Sequence, residues 1–435
     1  MRKLVVLVLL LPALAPAIYD VKLDKLGNWD CSFSNYGPWG FNPAGQPGGF
    51  WHDTAYVFGA GFWCGTIVEP DTLVTVGYSP NSGASELVPM LTANWRQGWR
   101  NGADRIYSYP GDWPPPPDRF PMAPDTALAP HELWTCCCDS DVRYHTPPGR
   151  PIGLDLCLTV FAFDESLSLD AFYLLYEMYN PQPETLHGLY AGMVTDADVG
   201  NPADDRTGLV LNRWFQIGED TFTVTSTGFC WSKDNTPSGA IATRLLKGPH
   251  SDSLAAFKLF HMPNDPKTDG DQYMALAGYD WPMRQYDPFD SIELGPSDKR
   301  YLLSVGPFDI APQAAETLLF AVFGTPFDTT DTNELALRAE WTRKRWGQLS
   351  GVAEQPPATR NVQPIATILR GVLNLQSAIS NLQSEIALLD ITGRKVLDLK
   401  PGANDVSRLS PGVYFVRAVS REPSAVSCQK VVITK

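Results

Sequence analysis

Leu154-Asp-Leu-Cys-Leu-Thr-Val-Phe-Ala-Phe163 decides the fold class, because large apolar residues alternate with small or polar ones along it. A period of two puts alternate side chains on opposite faces, so the stretch is read as a half-buried antiparallel strand. Runs of the same character recur at 55–62, 72–76, 171–179, 188–194, 222–230, 301–305 and 317–323, separated by clusters of Gly, Pro, Asn and Asp. They are rich in Val, Phe, Tyr and Leu, the residues that suit a pleated, partly buried surface. The 35 Gly and 38 Pro follow no fixed period, which suits many turns between short strands. Together these imply a mainly β protein whose large central domain, residues 18–347, is an antiparallel sandwich.

Within that domain one helix is expected at its C-terminal end, from Thr332 to Arg345. Asp331 and Glu334 have capping-box spacing, Leu335, Ala339 and Trp346 share a face, and Gly347 is placed to end it. Pro130-His-Glu-Leu-Trp134 is read as one helical turn, with Pro at its first position. Residues 348–363 lack periodicity and are read as a linker.

At the other end, Met1-Arg2-Lys3 precedes an apolar run from Leu4 to Leu14, and Ala15-Pro16-Ala17 has the small-x-small cleavage pattern. Residues 1–17 are therefore read as a signal peptide cut before Ile18. The run is shorter than the ~20 apolar residues a transmembrane helix needs, and no later stretch is long enough. Export would place eight cysteines, three of them consecutive at Cys136, Cys137 and Cys138, where disulfides can form. Two readings stay open. Either one or two of that trio reach Cys157 or Cys64 across a sheet, or most of the eight are buried thiols.

Residues 364–435 read as a second, small β-domain of Ig-like sandwich type. Strands are expected at 385–391, 394–399 and 413–419, with turns at Thr392-Gly393 and Ser410-Pro411-Gly412, and the chain ends on Lys430-Val-Val-Ile-Thr-Lys435. Three separated blocks here, Leu389 to Val396, Leu409-Ser-Pro-Gly-Val-Tyr-Phe-Val416 and Lys430 to Thr434, resemble the type A-like C-terminal sorting domain of type IX secretion cargo. Gly393, Pro411, Gly412, Tyr414 and Lys430 carry the match. The polar, helix-compatible stretch Gln376 to Gln383 departs from the pattern. The resemblance implies recognition by an outer-membrane type IX translocon, processing by a sortase-type protease, and delivery to the cell surface or medium through the periplasm. Segments of the central domain, among them Ser34 to Gly37, Tyr56 to Gly65, Thr195 to Gly200 and Ser304 to Pro312, resemble surface proteins that carry the same tail, which implies no activity.

A net charge of −14 without any basic run argues against a nucleic-acid partner. No HExxH, GxSxG, P-loop or strand-to-helix GxGxxG motif occurs, and none of the six histidines has a second one three or four residues away. The local candidate is Asp196-Ala-Asp198-Val-Gly200-Asn201-Pro-Ala-Asp204-Asp205, where Asp196, Asp198, Asp204 and Asp205 could offer oxygens to calcium. Its spacing is not that of an EF-hand, because Gly200 comes a place early and Thr207 stands where Glu is needed. The plain alternative is a solvated loop whose Asp side chains cap backbone N–H groups. Asp265 to Asp271 is a thinner version of the same pattern. Thirteen Trp and sixteen Tyr would suit a carbohydrate ligand if exposed, though aromatics of this kind more often fill sandwich cores.

These readings favour a non-enzymatic binding or envelope-structural role over the alternative, a secreted hydrolase of polysaccharide or peptide. A cleft lined by convergent carboxylates with an exposed Trp would favour the hydrolase, and a flat, loop-covered surface the binder.

Overall fold

The computed structural model describes residues 19–90, 105–234, 238–261, 264–290, 295–349, 367–369, 372–375, 385–390, 394–400, 402–410, 412–419 and 426–433. The expected signal peptide at 1–17 and most of the expected linker, 350–363, lie outside them. The chain divides into two compact units, Met1–Glu354 and Gln355–Lys435.

The first unit is a mainly β sandwich. Its principal strands are β1 (Val21–Leu26), β2 (Trp29–Ser34), β3 (Gly49–Trp51), β4 (Thr54–Val68), β5 (Asp71–Val76), β6 (His131–Cys138), β7 (Asp155–Ala162) and β8 (Ala171–Tyr179). They continue with β9 (Leu186–Ala197), β10 (Asp205–Ile217), β11 (Asp220–Ser232), β12 (Ala240–Lys247), β13 (Ala256–His261), β14 (Lys299–Ile310) and β15 (Ala315–Thr325). One antiparallel sheet of eight strands runs β1-β2-β3-β4-β9-β14-β13, with β5 also paired to β4. The other, of nine, runs β10-β11-β12-β15-β8-β7-β6 and ends on the short segments Val88–Pro89 and Tyr107–Tyr109.

Alternation shows directly in the core. Leu156, Leu158, Val160 and Ala162 of β7 and their ladder partners Met178, Tyr176, Leu174 and Phe172 of β8 line one side of the core, and Leu189, Ala191 and Met193 of β9 come to it from the other sheet. The outer faces are covered as well. Helix α1 (Asp269–Leu276) packs Ala275 and Leu276 against Trp63, Val194 and Leu302 of the first sheet. Helix α2 (Asn333–Leu349) lays Leu335, Ala336 and Ala339 on Ala240, Ala242 and Phe323 of the second, with Trp346 and Leu349 on Phe161, Tyr173 and Leu319. Two-sided burial explains why several strands read as nearly unbroken apolar runs.

Three local expectations are corrected. Helix α2 passes through Gly347 to Leu349, so Gln348 is helical and not linker; the apolar contact of Leu349 on the sheet extends the helix beyond its Gly. Pro130 heads a strand instead of a helical turn, because His131 to Cys138 pairs residue for residue with β7 and the missing N–H of Pro falls just outside the ladder. Helix α1 had no expected counterpart; Thr268 caps it by accepting from the Asp271 N–H at 3.2 Å.

Cys136 lies directly opposite Cys157 in the ladder, and both point to the outer face with Trp134, while Cys137 faces the core. The seven cysteines of the first unit are buried thiols with no disulfide among them. Burial removes the thiolate form; it pushes the Cys137 thiol well up, for example.

The second unit holds β16 (Thr367–Leu369), β17 (Val372–Leu375), β18 (Glu385–Asp390), β19 (Lys395–Leu399), β20 (Gly402–Asp405), β21 (Gly412–Val419) and β22 (Val426–Ile433). Five form a sheet in the order β16-β22-β21-β18-β19, with β16 parallel to β22, and β17 pairs β20 in a second. Gly412 opens β21, the Tyr414 hydroxyl donates to the Ser410 carbonyl at 2.8 Å, and Lys430 of β22 pairs with Phe415. Gly393, Pro411 and the 376–383 stretch lie outside the described residues.

Candidate metal centre

The acidic stretch after β9 begins inside the sheet. Asp196 occupies the last outward-facing place of β9, with Gly59 of β4 beside it on one side and Arg300 of β14 on the other. Gly59 has no side chain to stand there, and a Cβ on it would come within 2.4 Å of the Tyr78 ring. The ring therefore lies flat over β4, and its hydroxyl donates to Asp196 Oδ2 at 2.7 Å. Arg300 Nε stands 3.0 Å from Asp196 Oδ1, and Asp196 is 1% exposed.

Two further segments converge on this point. Asp198 sits where the chain leaves β9, its N–H bound to the Tyr56 carbonyl at 3.1 Å. The Ser297 N–H donates to the Asp205 carbonyl at 3.1 Å, which ties the segment before β14 to the start of β10 and brings Asp298 in. Ligand oxygens of Asp196, Asp198 and Asp298 all lie within 4.8 Å of one another. Calcium–oxygen bonds of about 2.3–2.6 Å allow one ion to span such a gap. Asp298 also meets Arg300 at 3.3 Å, and Asp265, from the loop before α1, meets it at 3.6 Å.

Carboxylate oxygens outnumber donors here. Asp196 Oδ1, Asp204 Oδ1, Asp205 Oδ1, Asp298 Oδ1 and both oxygens of Asp265 are buried without a hydrogen-bond partner among the described residues, as are Nε and Nη1 of Arg300. The Arg300 contacts to Asp196 and Asp265 are thus close in charge but poorly aligned as hydrogen bonds, while Nη2 donates to Asp298 Oδ2 at 3.3 Å. Burial, reinforced by the neighbouring carboxylates, pushes Asp196 up to about 8, against the pull of Arg300 and Tyr78. Asp205 rises to about 9 and Asp198 to about 6 for the same first reason, with Asp298 adding repulsion to both. Asp265 is raised too. Such a group either holds protons or holds a cation, because burying several like charges without compensation is too costly. An all-oxygen, carboxylate-rich donor set is chemically suited to a hard cation.

The structure thus brings Asp196 and Asp198 together, and sets Asp205 close enough to feel Asp198 and Asp298. Asp205 binds its own loop by accepting from the Val199 N–H at 3.3 Å. Asp204 instead closes a 3-10 turn, Pro202–Asp204, capped by Asn201, and stands outside the three-carboxylate group. Asp298, Asp265 and Arg300 carry no signal near 196–205. A clue lay in the charged triplet Asp298-Lys-Arg300 heading an otherwise apolar strand. The second acidic loop is divided: Asp265 faces Arg300, while Asp269 and Asp271 lie in the first turn of α1.

No protein-family model matches the chain, and no curated protein matches it. Among solved structures, a polysaccharide lyase is similar at a TM-score of 0.27 and 6% identity, over 88% of this chain and 40% of the lyase. The chain thus spans about two-fifths of the lyase's length. A likeness at this level carries no argument about fold or activity.

Proposed function

We propose that this chain is an exported cell-surface or extracellular protein with a non-enzymatic binding or envelope-structural role, its sandwich locked at one end by calcium. The surplus of buried, unpartnered carboxylate oxygens around Arg300 carries the calcium half of this reading. The cation would bridge the ends of β9 and β14 through Asp196, Asp198 and Asp298, fixing the loops that meet there. Calcium is abundant outside cells, so even a modest site would be filled. The sorting-tail resemblance of 364–435 supports delivery through the type IX translocon, with the sortase-type protease acting on the tail.

Calcium titration of the purified central unit tests the first half, by melting temperature in millimolar calcium against chelator. Identical curves would reduce the centre to a proton-holding cluster. Truncation after Leu349 tests the second half: the shortened protein should fold and stay in the periplasm. Normal levels of it at the surface or in the medium would refute the sorting assignment.

A further inference from the structure

Beside the outer edge of β13 lies a cleft of about 510 Å³, within the about 300–1,000 Å³ range of clefts that hold small molecules. Its walls come from β13, Asn264, and the hairpin in which Tyr279–Asp280 pairs with Gln285–Tyr286. Trp281 lines it half-exposed, its indole held edge-on against Phe260 with ring centres 5.1 Å apart. A ring fixed in this way offers a flat face at little further entropic cost.

The polar lining is equally specific. Lys258 is buried beneath the cleft, where it pairs with Asp290 and donates to the Asp287 carbonyl at 2.8 Å. Its charge is therefore consumed within the protein. Asp290 is occupied on both oxygens, since Oδ2 accepts from the Leu259 N–H at 2.8 Å. Asp280 Oδ1 accepts from the Met283 N–H at 3.0 Å, which shapes the hairpin turn. Asp287, exposed on the rim, and the Asn264 amide with His261 beside it at 3.4 Å supply both acceptors and donors.

The hairpin is rich in rings that the core does not use. Tyr286 is 61% exposed and Tyr279 37%, packed edge to face at 5.3 Å, and Met283 at the turn is 74% exposed. An apolar, ring-bearing hairpin standing in solvent marks a contact surface.

We propose that this cleft binds a neutral saccharide, with one sugar ring stacked on Trp281 and its hydroxyls held by Asp287, Asn264 and His261. Stacking uses the apolar face of the ring, and carboxylate and amide groups match paired hydroxyls. Asp280, Asp287 and Asp290 outnumber the two lysines of the lining, Lys258 and Lys299, both of which are buried, so an anionic sugar is disfavoured. Asp290 and Asp280 are engaged in building the cleft, which leaves Asp287 as the carboxylate turned to the ligand, and a single carboxylate lacks the second member of a glycosidase pair, so the site binds without cleaving. This inference rests on the binding role proposed above and names the ligand class for it.

The test is calorimetry of the calcium-loaded protein with cellohexaose, mannohexaose, xylohexaose and chitohexaose, and with oligogalacturonate for comparison. At least one neutral hexasaccharide should bind. Trp281→Ala should weaken it at least tenfold, Trp281→Phe much less, and the exposed change Asp287→Ala at least threefold. No neutral binding, or tightest binding of oligogalacturonate, overturns the proposal. So does binding that survives both Trp281→Ala and Asp287→Ala. New reducing ends released during incubation would overturn the non-cleaving assignment. The calcium response should persist in the cleft variants; binding that fails while it persists refutes the ligand class and leaves the calcium centre standing.

Discussion

Two buried aspartates of the sandwich have opposite electrostatic fates. Asp170, in the turn before β8, receives Trp51 Nε1 and Asn28 Nδ2 at 2.8 Å each on one oxygen, and Arg338 of α2 on the other. Burial would raise its pKa, but these donors outweigh it and hold the carboxyl below its usual range. Asp196 is buried at least as deeply, yet it has one hydrogen-bond donor, Tyr78, beside an Arg300 that it shares with Asp265 and Asp298, and it is pushed up to about 8. A buried carboxylate with a full set of donors is a structural rivet, here joining β2, β3 and α2. One that lacks donors marks a place where a ligand is wanted.

The comparison breaks most visibly at the rivet. Asp170→Ala strands Arg338, Asn28 and the Trp51 N–H, so it should cost about 3–5 kcal/mol in urea unfolding, with or without calcium. A loss under 1 kcal/mol would mean the donors rehydrate freely.

At the centre the sign reverses. Asp298→Asn should leave the calcium-free melting temperature unchanged or higher, since it relieves repulsion. In calcium it should forfeit the stabilisation the wild type gains, about 2.7 kcal/mol at a hundred times the dissociation constant. A variant that kept the full calcium gain would remove Asp298 from the site.

Titration sharpens the contrast. Asp196, Asp198 and Asp205 have raised pKa values in the folded chain, near 8, 6 and 9. Their contribution in chelator is fully present below the unfolded value of about 3.9 and is lost as pH rises through about 6 to 9. The lowered Asp170 does the reverse: its contribution is present above that unfolded value and disappears as pH falls through the folded one. Calcium should flatten the neutral-to-alkaline loss, and Asp205→Asn should shrink it in chelator. Wild-type stability in chelator that does not fall between pH 6 and 9 would contradict the raised values.

The smallest effect is expected at Asp204. Asp204→Asn should change stability by no more than about 0.5 kcal/mol and calcium affinity by less than tenfold, because Asp204 stands outside the three-carboxylate group and only its repulsion of Asp205 is lost. A larger loss of affinity would return Asp204 to the donor set.

Sequence alone determined the sandwich class and much of its strand list. Alternation such as Leu154 to Phe163 is written in consecutive residues, and burial acts on each residue through its nearest neighbours. Ala171–Tyr179 matches its expected limits outright, five of the other expected strands gained residues at both ends, and the strand of 154–163 lost one at each. Sequence also singled out Asp196 and Asp198, because turn-rich chain after a strand end was local information. Only the tertiary structure decided that Asp298, Asp265 and Arg300 complete the centre and that Asp204 stands apart. Those meetings depend on the pairing of β9 with β14 across about a hundred residues of chain, and register is set by packing of the whole core. For the same reason, Pro130 could be read locally as a helix start, while the eight-residue ladder with β7 made it the head of a strand.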